Sequence, residues 1–284
     1  MAENVSDRNG RALEYVVAVE LEKLSGFKLT QQSILLNSRD KDKFQSLPNE
    51  LKNSYQIAST KISKWAKSLF VNQTNVTIER LNDNPDDPSD FILTSNNFKI
   101  SISLKHNHEA LKHPRPYSFA QACGYDKGTV ADNEHRRSMT LASNNFRNSA
   151  INKALFNQCS GNVIDRLYLE VCKACEASLN NWLKTNSKVA FNLFDFLVSN
   201  GFYKVIVDTR NGTTVRVQDY LNIPQPNSVK TNVQANRLIL QFDNKWTLNL
   251  RIHTASSRIA NSPSQLSLKF DAQKDIGEVR EFLI

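Results

Sequence analysis

The stretch Asp90-Phe-Ile-Leu-Thr-Ser-Asn-Asn-Phe-Lys-Ile-Ser-Ile-Ser-Leu-Lys105 decides the fold. Asp90 opens a short apolar run, Ser95-Asn96-Asn97 is a turn signal, and Phe98 to Lys105 alternates apolar and polar residues with period two. That pattern predicts an antiparallel hairpin whose second strand has two differing faces. Pairing then carries Asp90, at the start of one strand, and Lys105, at the end of the other, to a common sheet edge. Ser103 and Lys105 share a face because they are two residues apart. An acid and a lysine so placed suit phosphodiester hydrolysis. The carboxylate of Asp90 would hold Mg²⁺, the backbone carbonyl of Leu104 would add an oxygen ligand, and the Lys105 ammonium would orient a water and offset phosphate charge. The plain alternative is a polar strand end, with Asp90 and Lys105 unrelated.

Upstream, Leu13, Val16, Val17, Leu21 and Leu24 recur at helical spacing between Gly10 and Ser25, with Gly26 behind them. Glu14 falls beside this apolar stripe, where its carboxylate either faces a cleft or is solvated. A second helix is expected over Leu51, Tyr55, Ala58, Ile62, Trp65 and Leu69, after Pro48, and Val76 to Leu81 reads as a strand. The acidic run NDNPDDPSD breaks it. Downstream, helices are expected near Phe119 to Gly124, Asn148 to Phe156, Val163 to Lys184 and Val189 to Asn200. Strands follow at Lys204 to Asp208, Thr213 to Val217, Leu238 to Phe242, Trp246 to Ile252 and Leu266 to Phe270, with tight Asn-Gly or Asp-Asn turns. Pro224 and Pro226 mark an exposed connection, but no long linker appears. The expectation is a mixed α/β fold in a single domain over 1–284. A central sheet flanked by helices fills 1–125, and helical and β-rich elements fill 126–284.

At 284 residues, with 40% hydrophobic and 23% charged positions, the chain can bury a substantial core. Its longest apolar runs are interrupted, as by Asn192 and Asp195, so no membrane span is expected, and the polar start MAENVSDRNG argues for the cytoplasm. Cys123, Cys159, Cys172 and Cys175 are too unevenly spaced for a disulfide framework. Cys172-Lys-Ala-Cys175 has zinc-ribbon spacing, but no second pair lies at ribbon distance and the segment has helical periodicity, so it is read as core.

Net charge is +8, and the basic residues cluster. Lys105, Lys112, Arg115, Lys127, Arg136 and Arg137 share a short region with four of the five histidines, the footprint of a polyanion-binding surface or of a solvated basic face. His106, His108 and His113 are read as DNA contacts or as supports of the active-site loop. Three histidines so spaced are a weak zinc set. An HNH-type nuclease using His106 and His108 is the competing hydrolytic reading, weakened because that motif's residues are not adjacent in sequence. Arg115, Arg136, Arg137, Arg251 and Arg258 are available to read guanine in the major groove. Lys112, Lys127, Ser256 and Ser257 suit phosphate contacts. Gln121 could position water or DNA, and His253 is either a DNA contact or a packed strand-end residue.

Asp90 followed by Ser103-Leu-Lys105 resembles the PD-(D/E)XK nuclease signature, and Gly10-Arg-Ala-Leu-Glu14 is similar to the helix of that fold that carries an additional metal-site glutamate. Ser103 departs from the pattern, because a second carboxylate usually stands there. Glu14, Glu79 and Glu109 are the candidate replacements, with Glu14 favoured. Ile102 to Pro116, ISLKHNHEALKHPRP, together with Leu250 to Ile259, LRIHTASSRI, resembles the HaeIII-type type II restriction endonucleases. The resemblance implies Mg²⁺-dependent cleavage of double-stranded DNA at a GGCC-type palindrome and a cognate methyltransferase. It also implies a homodimer, since a palindrome offers two identical half-sites. A non-catalytic DNA-binding protein is the rival from another class. An RNA-binding module is weaker, because no aromatic strand signature is present.

Overall fold

The computed structural model describes residues 5–71, 73–82, 88–96, 98–109, 111–260 and 266–284. Part of the acidic break (83–87) and Asn97 of the turn lie outside them. The chain is mixed α/β, as expected, and forms two compact units. The first comprises 1–109, 200–223 and 279–284, and the second 110–199 and 224–278. Both units are discontinuous in sequence, because late strands return to complete the first sheet.

The first unit holds α1 (Val5–Glu22), β1 (Phe27–Leu29), α2 (Gln31–Gln45), α3 (Asn49–Leu69), β2 (Val76–Arg80), β3 (Phe91–Ser95) and β4 (Phe98–His106). It is completed by β5 (Tyr203–Asp208), β6 (Thr214–Asp219) and, from the far end of the chain, β11 (Arg280–Leu283). The sheet order is β1-β2-β3-β4-β5-β6-β11. Pairs β1–β2 and β4–β5 are parallel, and the others are antiparallel. Alternation sorts the side chains. Ile78, Leu93, Ile100, Ile102, Leu104, Val205 and Val217 join Leu13, Val17, Tyr55 and Ile62 of the helices in one core. Each such side chain contributes about 1.5–3 kcal/mol by leaving water. Ser103, Lys105, Lys204, Arg216 and Gln218 necessarily take the opposite face.

The expected helix at 10–25 begins earlier, at Val5, and the one after Pro48 spans Asn49–Leu69. Strand β1 and helix α2 were not anticipated. Three residues are too few to show periodicity, and α2 is polar enough to bury only Ser33, Leu36, Asn37 and Asp40. Thr30 caps it, its hydroxyl accepting the Ser33 amide at 3.2 Å.

The second unit holds α4 (Phe119–Ala122), α5 (Val130–Ser149), α6 (Gly161–Thr185) and α7 (Val189–Val198). Its antiparallel sheet, in the order β10-β9-β8-β7, uses β7 (Val229–Gln234), β8 (Arg237–Phe242), β9 (Thr247–Thr254) and β10 (Leu268–Ile276). Helix α5 occupies a region where no helix was expected, and the helix expected at 148–156 is mostly irregular chain after the end of α5. Thr129 caps α5 through the Asp132 amide, and His135, Met139, Ala142 and Phe146 supply its buried stripe, spaced too thinly among polar residues to stand out. Helices α6 and α7 occur where expected, as do the cores of strands β5, β6, β8, β9 and β10. Strands β7 and β11 went unanticipated.

Cys172 and Cys175 are buried on α6, as the helical reading required. Burial pushes the Cys172 thiol up to about 12 and Cys175 well above its ordinary range, so both are packing groups. Among the described residues no helix is long and apolar enough to cross a membrane.

Candidate active site

Asp90 sits immediately before β3, tied by its amide to the Ile102 carbonyl at 2.8 Å and by its carbonyl to the Leu81 amide at 3.0 Å. Its carboxylate replaces the next ladder partner of β4. Oδ2 accepts the Leu104 N–H at 2.6 Å, takes the Ser103 hydroxyl at 3.4 Å and faces the Lys105 ammonium at 3.7 Å. The hairpin thus brings together Asp90, Ser103 and Lys105 as its alternation predicted. Leu104 takes part through its amide, whereas the sequence reading assigned it a role through its carbonyl.

The charge state of Asp90 reflects competing effects. Burial, reinforced by the negative charge of Glu14, pushes its carboxyl up to about 6 against the pull of Lys105, the Leu104 amide and Arg11. Asp90 is therefore charged at neutral pH but costly to keep so, which favours a neighbouring cation.

Glu14 is buried in α1 and close enough to influence Asp90, but it is already paired. Arg80, 1% exposed, reaches Glu14 at 2.8 Å, Asp40 at 3.0 Å and the Asn37 carboxamide oxygen at 2.6 Å, and Arg11 adds a contact to Glu14 at 3.1 Å. At Asp40 burial acts upward, but Arg39 and Arg80 outweigh it and hold the carboxyl below its usual range. Arg80 was missed in the sequence, although a signal existed. Val76, Ile78 and Arg80 occupy the inward positions of an alternating strand, so a charge there requires a buried partner. Of the other candidate acids, Glu79 is exposed and Glu109 pairs with Arg216.

A polar row continues across the same sheet face. Ser103 lies beside Lys204, Lys204 beside Gln218, and Gln218 beside Glu281. The Gln218 amide donates to Glu281 at 2.7 Å, and the Lys204 ammonium lies over the Tyr220 ring at 4.7 Å. At the end of β4, His106 Nε2 lies 3.1 Å from the Thr209 hydroxyl and 3.0 Å from the Asn107 amide, and its ring meets Tyr55 edge-on. Burial lowers its pKa, so it is a neutral ring holding the end of the strand. Among the described residues, no group of three or more His, Cys, Asp or Glu side chains is arranged to hold a metal ion.

No family model and no curated protein matches this chain.

His108 is exposed in the first unit, and the remaining DNA-contact candidates lie in the second. Arg136 and Gln121 are committed to the buried carboxylate of Asp132, at 2.9 Å and 2.7 Å. Arg115, Arg137 and Arg258 are exposed. Lys112 rides over Phe196, 5.2 Å from the ring centre. The Ser256 hydroxyl accepts the Arg258 amide and the Ser257 carbonyl accepts the Phe156 amide, so both serines help shape the turn after β9. His113, Arg251 and His253 gather around Asp271, at 3.6, 3.1 and 3.0 Å.

Proposed function

We propose that this protein is a Mg²⁺-dependent endonuclease that hydrolyses phosphodiester bonds of double-stranded DNA. The observation that carries the reading is the convergence of Lys105 and the Leu104 amide on the partly buried carboxylate of Asp90. Asp90 offers the hard oxygen ligand that Mg²⁺ takes together with water and phosphate oxygens, so the donor chemistry fits this ion. Glu14 would join it by giving up part of its pairing with Arg80 and Arg11. When bound, Mg²⁺ supplies Lewis-acid stabilisation of the phosphoryl oxygens.

The chain's own groups divide the remaining work. The Leu104 amide fixes the Asp90 carboxylate, and the Lys105 ammonium orients a water and offsets charge growing on phosphate. The water oxygen bonds to phosphorus, the bond to the leaving oxygen breaks, and the proton lost by water is balanced by one taken up at the leaving oxygen. Ser103 contributes a hydroxyl where related sites carry an acid, so less negative charge surrounds the phosphate.

The resemblance to HaeIII-type enzymes supports a finer reading: a type II restriction endonuclease acting at a GGCC-type palindrome as a homodimer, paired with a methyltransferase and working in the cytoplasm. The test is incubation of purified protein with unmethylated plasmid and Mg²⁺, with an EDTA control and sequencing of fragment ends. Discrete ends at GGCC are expected. Intact DNA that shifts on a gel would favour a non-catalytic binding protein, and cleavage unaffected by Asp90→Ala would overturn the assignment.

A further inference from the structure

We infer that the polar face of the β7–β10 sheet is a docking surface for the phosphate backbone of duplex DNA, separate from the hydrolytic residues of the first unit. The inference rests on the DNA reading above and adds to it where the duplex is held.

The register defines the face. Arg237 of β8 is opposite Arg251 of β9, which is opposite Asp271 of β10, and His253 is opposite Lys269. Alternation places Leu238, Leu240, Leu250, Ile252 and Phe270 on the other side, where all are buried. The polar side also carries Lys230, which is exposed, and Arg251, whose side chain is 46% exposed. The four strands carry two acids against these cations, Asp271, which is shared by Arg251, His253 and His113, and Asp275, exposed at the irregular end of β10.

Like charges directly opposite one another destabilise an antiparallel pair, and Arg237 faces Arg251, whose charge is offset in part by Asp271 on its other side. A bound polyanion removes that repulsion.

The composition also selects the partner. None of the strand positions on this face is Phe, Tyr or Trp, so it lacks the stacking platform on which single-stranded nucleic acids are held. Beside Ile239, Thr247 and Asp271 it carries cations and amides, the groups that contact phosphate and sugar in duplex complexes.

The test compares the full chain with Arg237→Glu/Lys269→Glu and, independently, Lys230→Glu/Arg251→Glu. Lys64→Glu/Lys67→Glu, on the exposed side of α3, is the charge-matched control. Binding to a 30-base-pair duplex and to its single strand is measured by fluorescence anisotropy across a salt series, and thermal melting checks folding. Duplex affinity is expected to fall about 10–100-fold in both sheet variants, with the salt slope shallower by about two. The Lys64→Glu/Lys67→Glu control should stay near wild type in duplex affinity and in plasmid turnover. Folded sheet variants that bind duplex within twofold of wild type, or a wild-type preference for the single strand, would overturn the inference. Wild-type protein that binds duplex through this face but does not cleave it with Mg²⁺ would sink the nuclease reading and leave the docking surface standing.

Discussion

The backbone amide of Leu104 donates to the carboxylate of Asp90 at 2.6 Å, in the place where the β3–β4 ladder would otherwise take its next bond. One hydrogen bond therefore ends the hairpin and fixes the acid beside Lys105. The same position is costly to keep charged, since burial raises the Asp90 carboxyl to about 6. On the proposed nuclease reading, stability and function oppose one another at this residue.

Asp90→Asn should show that opposition. A carboxyl raised from 3.8 to about 6 is worth up to about 3 kcal/mol against folding when ionised. The associated stability is complete below pH 3.8 and lost as pH rises through about 6. In metal-free buffer the variant should melt above wild type at pH 8, by an increment that vanishes near pH 4. Cleavage should fall at least about 10³-fold. Equal melting temperatures at pH 8 would contradict the burial argument.

Lys105→Met removes the charge that pulls the Asp90 carboxyl down while keeping most of the side-chain volume. Single-turnover cleavage by wild type should lose activity as pH drops through about 6. In the variant the rate should fall about 10²–10³-fold, with the acid limb moved to higher pH. An unmoved limb would show that Lys105 does not set the charge of Asp90.

Arg80→Met leaves Glu14 and Asp40 as buried acids without their shared cation. The expected loss is about 3–5 kcal/mol by urea denaturation. Asp40→Asn in the same background should recover part of it, because the charge pairing lost at Asp40, where Arg39 still stands close, and not the missing arginine volume dominates the penalty. No recovery would place the effect in packing.

Asp132 is fully buried and accepts from Arg136, Gln121 and the Gly128 amide. Burial acts upward on its carboxyl, but these bonds outweigh it and hold it below the usual range. Its contribution is present above that range and is lost as pH falls through it. Arg136→Ala should therefore lower stability by about 1–3 kcal/mol at pH 7, by less near pH 3, and leave duplex affinity within about twofold. Arg137→Ala should leave melting unchanged. A large affinity loss for Arg136→Ala at unchanged stability would restore it as a DNA contact.

Much of the local structure was legible. Period-two alternation from Phe98 to Lys105 predicted which side chains share a face, and the candidate pair Asp90 and Lys105 followed from it. The stripes of α3, α6 and α7 were equally plain, since each buries residues at helical spacing. Helix α5 was not, because its buried residues are separated by polar ones, and three of them, Asp132, His135 and Ser143, are themselves polar. The readings of Gln121 and Arg136 as DNA contacts needed knowledge of Asp132, whose burial no local pattern announces.

Periodicity and turn chemistry are properties of consecutive residues, so the amino-acid order alone was enough to set the hairpin, the helical faces and the meeting of Asp90 with Lys105. The partner of a buried charge is not such a property. Glu14 and Arg80 lie 66 positions apart, and only the packing of α1 on the sheet makes them a pair. The same holds for β11, which closes the first sheet against β6, and for Arg237 and Arg251, whose repulsion exists only in the β8–β9 register. Desolvation acts on groups that the fold brings together, and so the charge state of the site was decided in three dimensions.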